Sequence, residues 1–263
     1  MPDRQLDLFA GSPVPATHHV TPPGGPPPLV PTELNDAALL AAIPASGVTD
    51  GRALAVEAGR RRLGIAVPVL EDYCRRFAGF GTQRALPEQI AALDALAAIG
   101  GSDAARAVER TIGRGWVQGP TLPHAVAASV RLGSRLAADI VLPLLRHADP
   151  AIRADACKLA RPGPGIAATL IDLLDDLHRE VGVGAACALG RMGRTEALPL
   201  LKQVLRQAPS APVIEALGPI ADEECVVMLG RIASPDLRTA VRDALEAVEH
   251  PRAARVLQRL RAG

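Results

Sequence analysis

The chain has 263 residues, 48% of them hydrophobic but only 2% aromatic. Ala, Leu, Val and Ile must therefore build the core, a mixture that suits many short, closely packed helices and argues against a sandwich or barrel. A formal net charge of +1 at pH 7 excludes whole-molecule attraction to nucleic acid or to an anionic bilayer.

The start of the chain is interrupted by Asp3, Arg4 and Asp7, and no apolar leader follows. No secretory signal or membrane span is expected, and the reading is a cytoplasmic protein. The near-replacement of Lys by Arg fits a GC-rich bacterial genome. Residues 11–31, GSPVPATHHVTPPGGPPPLVP, are dominated by Pro and Gly. Proline removes donors and glycine adds chain entropy, so the segment reads as a disordered, partly extended linker that can span several tens of ångströms at about 3.1 Å per residue. Residues 1–32 thus form a tail that holds a short peptide on a tether.

That peptide, QLDLF at residues 5–9, resembles the motif with which bacterial DNA-metabolism proteins bind the β sliding clamp of DNA polymerase III. The resemblance implies that Gln5 enters a small polar pocket and Leu6 packs at its rim. It makes Asp7 a tolerant spacer and puts Leu8 and Phe9 in the hydrophobic groove. Burying two Leu and one Phe gains about 5–9 kcal/mol gross. Fixing five residues returns roughly 1–2 kcal/mol each, partly offset by main-chain hydrogen bonds, so the net affinity is on the order of micromolar. Two other readings stand beside it: the apolar side chains fold back onto an open end of the body, or the stretch has no role.

Next come helical patterns at 33–43, 49–62 and 67–78. In the last, Val67, Leu70, Cys74 and Phe77 recur with helical spacing. Residues 33–85 read as an N-terminal capping region ahead of a repeat array. From residue 86 the sequence repeats itself. LDALAAIGGSDAARAVERTI (93–112), ACALGRMGRTEALPLLKQVL (186–205), IEALGPIADEECVVMLGRI (214–232) and RDALEAVEHPRAARVLQRL (242–260) share one layout. An apolar helix is followed by a small turn and a second apolar helix, with a period near thirty. Leu96, Leu189, Leu217 and Leu245 occupy one equivalent position; Ile99, Met192, Ile220 and Val248 occupy the next.

Six units are expected over residues 86–263. Their helix pairs are 87–99 with 102–112, 121–133 with 136–147, 150–160 with 165–177, 179–192 with 195–207, 211–220 with 222–233, and 235–248 with 251–261. Gly100 and Gly193 are expected C-caps. Ser102, Thr195 and Asp222 are expected N-caps of second helices. Asp149-Pro150 and Ser234-Pro235 pair an N-cap with a proline at the first helical position.

ALGRMGRTEALPLL (189-type units) and ADPAIRADAC (148–157) resemble HEAT repeats of the short bacterial kind, often called PBS-lyase-like after relatives that attach bilins to phycobiliproteins. The resemblance implies an all-α fold: a right-handed α-solenoid of HEAT-like helical hairpins. It also implies a scaffold or binding surface as the use, since the motif residues are structural.

Chemistry-bearing residues are sparse. Cys74, Cys157, Cys187 and Cys225 lack CxxC spacing and read as small buried hydrophobes. No nucleotide-binding fingerprint, catalytic pairing or metal site is expected, and no cofactor; His18-His19 and Asp175-Asp176 with His178 read as inert. His147 and His250 sit near helix ends, where a cation suits the helix dipole. Basic candidates for nucleic acid are Arg60–Arg62, Arg75, Arg76, Arg106, Arg110 and Arg114, and above all Arg252, Arg255 and Arg259, which helical spacing puts near one face. Acidic residues on the intervening helices break the stripe, and Trp116 stands alone as a stacking side chain.

The expectation is a non-enzymatic adaptor that binds protein partners on its repeat surface and is recruited to the β clamp through residues 5–9. The alternative is a DNA-binding repair factor using the arginine faces. A third and weaker class is an enzyme related to the bilin lyases.

Overall fold

The computed structural model describes residues 29–248 and 250–262, the last three as backbone only. Every regular element among them is helical, and Pro31–Gly263 form one compact unit. After a 3-10 turn at Pro31–Glu33 come α1 (Asp36–Ala45), α2 (Val48–Arg60) and α3 (Val67–Arg76). The pairs that follow are α4 (Pro87–Ile99) with α5 (Gly101–Gly113), α6 (Leu122–Arg131) with α7 (Ala138–Leu145), and α8 (Pro150–Leu159) with α9 (Ile166–Asp172). Then come α10 (Arg179–Arg191) with α11 (Leu198–Gln207), α12 (Ala211–Leu217) with α13 (Glu223–Leu229), and α14 (Arg238–Glu246) with α15 (Pro251–Ala262).

Local chemistry fixes many of the ends. Asp149 accepts the Ala151 N–H at 2.8 Å and Pro150 opens α8, as the sequence predicts. Asp222 accepts the Cys225 N–H at 2.9 Å and caps α13; such a cap contributes about 1 kcal/mol. Ser102, Thr195 and Ser234 do not cap. α5 begins at Gly101 straight after Gly100, while Thr195 and Ser234 sit at 3-10 turns with no side-chain cap bond. At α5, two successive glycines with φ of 76° and 80° turn the chain so sharply that the helix starts before Ser102 is reached.

One closing turn recurs at the helix C-termini. The Arg194 N–H bonds Leu189 O at 3.0 Å, Ser134 bonds Ser129 O at 3.0 Å, and Trp116 bonds Thr111 O at 3.0 Å. Gly193, Gly133 and Gly115 supply the left-handed residue each time, with φ of 74°, 61° and 64°. α2 closes in the same way, but with Arg62 at φ 54° in the glycine position.

The helices stack in two layers, the solenoid of hairpins that the repeats imply. α2, α4, α6, α8, α10, α12 and α14 lie side by side in one row, and the odd-numbered helices from α3 to α15 form the second layer. Small residues set the close spacing of the row. A Cβ on Gly59 would lie 2.7 Å from Ala95 Cα, and one on Gly190 would collide with the Ala216 carbonyl oxygen. Gly184 packs tightly against Cys157, where a Cβ would lie 3.1 Å from Cys157 Cβ, and Gly218 meets Ala244 at ordinary contact distance. The Gly- and Ala-rich composition is thus spent on backbone approach, while Leu39, Leu54, Leu70, Leu93, Leu96, Leu145, Leu170 and Leu189 fill the seam between layers and are fully buried.

Polar groups are buried where elements must be held together. Gln89, fully buried, donates from Nε2 to Cys74 O at 3.0 Å and to Trp116 O at 2.8 Å, tying α4 to α3 and to the loop after α5. Thr121 Oγ1 accepts the Leu86 N–H at 2.9 Å and so completes the start of α4.

Candidate functional site

The peptide Gln5, Leu6, Asp7, Leu8 and Phe9 lies outside the described residues, as do His18 and His19. The arginines upstream of α15 are placed, and most are engaged in holding the fold. Arg60 and Arg61 clasp the buried carboxylate of Glu57, each at 2.7 Å. Their hydrogen bonds, Arg60's first, hold that carboxyl at about 2 against the opposing effect of burial. Arg61 reaches further, to Asp36 at 2.9 Å and to the carbonyls of Pro31, Thr32 and Leu34, and so pins the first turn to α2. Arg75 pairs with Asp72, Arg106 with Asp103 and Arg110 with Glu71. Arg76 donates to Pro44 O and Ser46 O, and Arg114 stacks over Trp116 at 5.2 Å. Among the described residues, Arg62 alone of these upstream candidates has no such partner, so they form no basic stripe.

Arg252, Arg255 and Arg259 do come together. They line one groove of about 490 Å³ between α13 and α15, with Arg231 opposite and Val226, Val227 and Val256 as its floor. Arg252 is paired with Glu223 at 2.7 Å.

A second groove was not visible in the sequence. It encloses about 570 Å³ on the close row, between α10, the end of α11 and the start of α12. Val183, Cys187, Val204, Pro209, Pro212 and Val213 give it an apolar wall, and Lys158, Arg179, Glu180 and Arg191 stand around it. The cleft exists because Val183-Gly184 put little bulk on that face of α10, while Ala208, Pro209 and Pro212 keep α11 from running straight into α12. Arg191 bends over the cleft toward Cys157 O at 3.4 Å, and desolvation lowers its pKa. The only advance signal was the GVGAAC run, which reads equally well as packing.

Cys74, Cys157, Cys187 and Cys225 are all buried free thiols. Burial pushes Cys74 and Cys157 up to about 12 and Cys225 up to about 11, and raises Cys187. At neutral pH these groups are thiols, not thiolate nucleophiles. His147 Nδ1 accepts the Asp149 N–H at 3.0 Å, and His250 Nδ1 accepts the Arg252 N–H at 3.1 Å, so each ring helps open the helix that follows it.

Asp176 is held by Arg153 through two bonds of 2.9 and 3.0 Å, and this contact lowers its pKa. The Asp175–His178 loop is an inter-repeat joint. Among the described residues no group of three His, Cys, Asp or Glu is placed to hold a metal ion. No described helix is long and apolar enough to cross a membrane.

Comparison with known proteins agrees with this architecture. Residues 138–218, from α7 to the end of α12, match the family model for HEAT repeats. No curated protein matches the chain in sequence. Among solved structures, the complex of CpcE and CpcF of phycocyanin lyase from Nostoc sp. PCC7120 is similar at a TM-score of 0.51 and 16% identity, covering 92% of this chain and 97% of that one. This finding overturns the expectation that the chain is not an enzyme. A lyase carries the same fold, so a solenoid built of structural motif residues is no ground for excluding catalysis; chemistry belongs to the site a scaffold carries, not to the scaffold.

Proposed function

We propose that this chain is a partner-binding HEAT-type adaptor: the close-row groove at α10 seats a segment of one protein, and residues 5–9 recruit the assembly to a β sliding clamp. The observation that carries the reading is the groove itself. It is an apolar cleft of about 570 Å³ with Lys158, Arg179, Arg191 and Glu180 around it. A solenoid surface of this kind binds extended or helical segments through a few apolar anchors, with the rim setting orientation. The fold neighbour was itself solved as a complex of two chains, in keeping with such a use.

For the tail, the support is the residue-by-residue match of Gln5, Leu6, Asp7, Leu8 and Phe9 to the clamp-binding pattern, set ahead of a Pro/Gly-rich spacer. The decisive experiment is retention of purified clamp by the full-length chain, comparing wild type with Leu8→Ala/Phe9→Ala. Loss of retention in the variant is expected, and equal retention sinks the clamp assignment. Val183→Glu, at a half-buried groove position, should leave clamp retention intact and abolish capture of the second partner.

A lyase-type activity is the competing reading, favoured by the shared fold. It predicts a spectral change when a linear tetrapyrrole is mixed with the protein.

A further inference from the structure

The second layer carries a different surface, independent of the α10 groove and of the tail. Between α11 and α13 lies a cleft of about 380 Å³, and it adjoins the groove between α13 and α15, because Val227 and Arg231 line both. The joint floor is apolar, with Leu205, Met228 and Ile232 on one side of Val227 and Val226 and Val256 on the other. It opens because α13 is only seven residues long, Glu223–Leu229, and cannot cover the space between its longer neighbours α11 and α15.

The charge around this floor is lopsided. Glu224 is already held by Lys202 and Arg206, and Glu223 by Arg252. Arg231, Arg255 and Arg259 make no ion pair or side-chain hydrogen bond with another described residue. Other arginines are matched by carboxylates, as Arg110 is by Glu71, Arg131 by Asp94 and Arg153 by Asp176, and ones unpaired among the described residues, such as Arg84 and Arg135, do not line this groove. Three guanidinium groups without a partner among the described residues, beside the half-buried Val227, Met228 and Ile232, make a receptor for carboxylates spaced around an apolar anchor.

We infer that the groove along α13 is the docking site for an acidic amphipathic segment of a protein partner. Its apolar side chains seat on the half-buried Val227, Met228 and Ile232, and its carboxylates engage Arg231, Arg255 and Arg259. Nucleic acid fits less well. The described aromatic side chains, such as Trp116, Tyr73 and Phe77, lie on or beside earlier helices, leaving no stacking platform here. The cationic patch is also one repeat wide, too short to track a phosphate backbone along the stack.

Fluorescence anisotropy on the full-length protein tests this. The probe is a labelled peptide of about sixteen residues with Leu at i, i+3, i+4 and i+7 and Glu between them. The comparators are its Glu→Gln and Leu→Ser versions and a single-stranded oligonucleotide of equal charge. Binding of the acidic peptide is expected with Kd of about micromolar order. Arg255→Glu/Arg259→Glu should weaken it at least tenfold. Arg84→Glu/Arg135→Glu, the same charge change at exposed arginines elsewhere, should leave it within twofold. Both altered peptides should bind weaker than the parent. The inference is overturned if the parent peptide does not bind, if the two double variants weaken it equally, or if the Leu→Ser peptide binds as well as the parent. It is also overturned if the oligonucleotide binds more tightly and shows the larger loss with Arg255→Glu/Arg259→Glu, which would make the patch a nucleic-acid surface.

Discussion

The close row and the second layer are made by the same repeats and obey different rules. In the row, Gly59 and Gly190 bring backbones so near that the neighbouring helix leaves no room for a side chain. In the second layer α13, seven residues long, leaves clefts along both of its sides. The row therefore supplies the rigidity of the stack, and the second layer is free to vary. The α10 groove instructs by exception, since it is the place where the row's own surface is hollowed by Val183-Gly184 and the proline-bearing link to α12.

The sharpest way to break this contrast is to thicken the row. Gly190→Val should lower unfolding free energy by about 3 kcal/mol in urea titration, because the added carbons meet the Ala216 backbone and not a side chain that could turn away. A loss under about 1 kcal/mol would mean that the row is compliant and the division of roles is wrong. Next is Gln89→Ala, which cuts the bolt between row and second layer. It leaves the Trp116 carbonyl without its Gln89 donor and takes one of two donors from Cys74 O, which keeps the Phe77 N–H at 3.3 Å, and should cost about 1–2 kcal/mol.

Smaller and conditional on pH is Glu57→Gln. The folded carboxyl titrates at about 2, below its ordinary value of 4.5. The ion pairs therefore add stability above the ordinary carboxylate range, and that stability fades as pH falls toward 2. Thermal midpoints of wild type and variant should differ at pH 7 and converge as the pH is lowered; a gap that stays constant contradicts the assignment. The smallest effect belongs to the second layer. Met228→Ala, at a half-buried position beside the α13 cleft, should cost about 1 kcal/mol, and a loss as large as that of Gly190→Val would erase the distinction between layers.

How much of this was legible beforehand depends on the range of the signal. The 87–99 helix appears with those bounds, and Asp149, Pro150 and Asp222 open helices as read, because a cap depends on atoms two or three residues away. Ser102 and Thr195 fail for an equally local reason: a glycine pair starts one helix early, and a 3-10 turn intervenes at the other. Arg252, Arg255 and Arg259 share a face as their spacing requires, but their groove needed Arg231 and Val226 from the preceding pair.

The sequence by itself determined the helical class, the thirty-residue period and most of the punctuation, since periodicity and capping are written within one or two turns of chain. Tertiary structure alone decided which helices form the close row, which arginines are consumed by carboxylates and where the stack opens into clefts. Those outcomes depend on distances between residues tens of positions apart, such as Arg110 and Glu71 or Gly190 and Ala216. A repeat pattern cannot encode such distances, because every unit carries the same pattern while only some of them leave a gap.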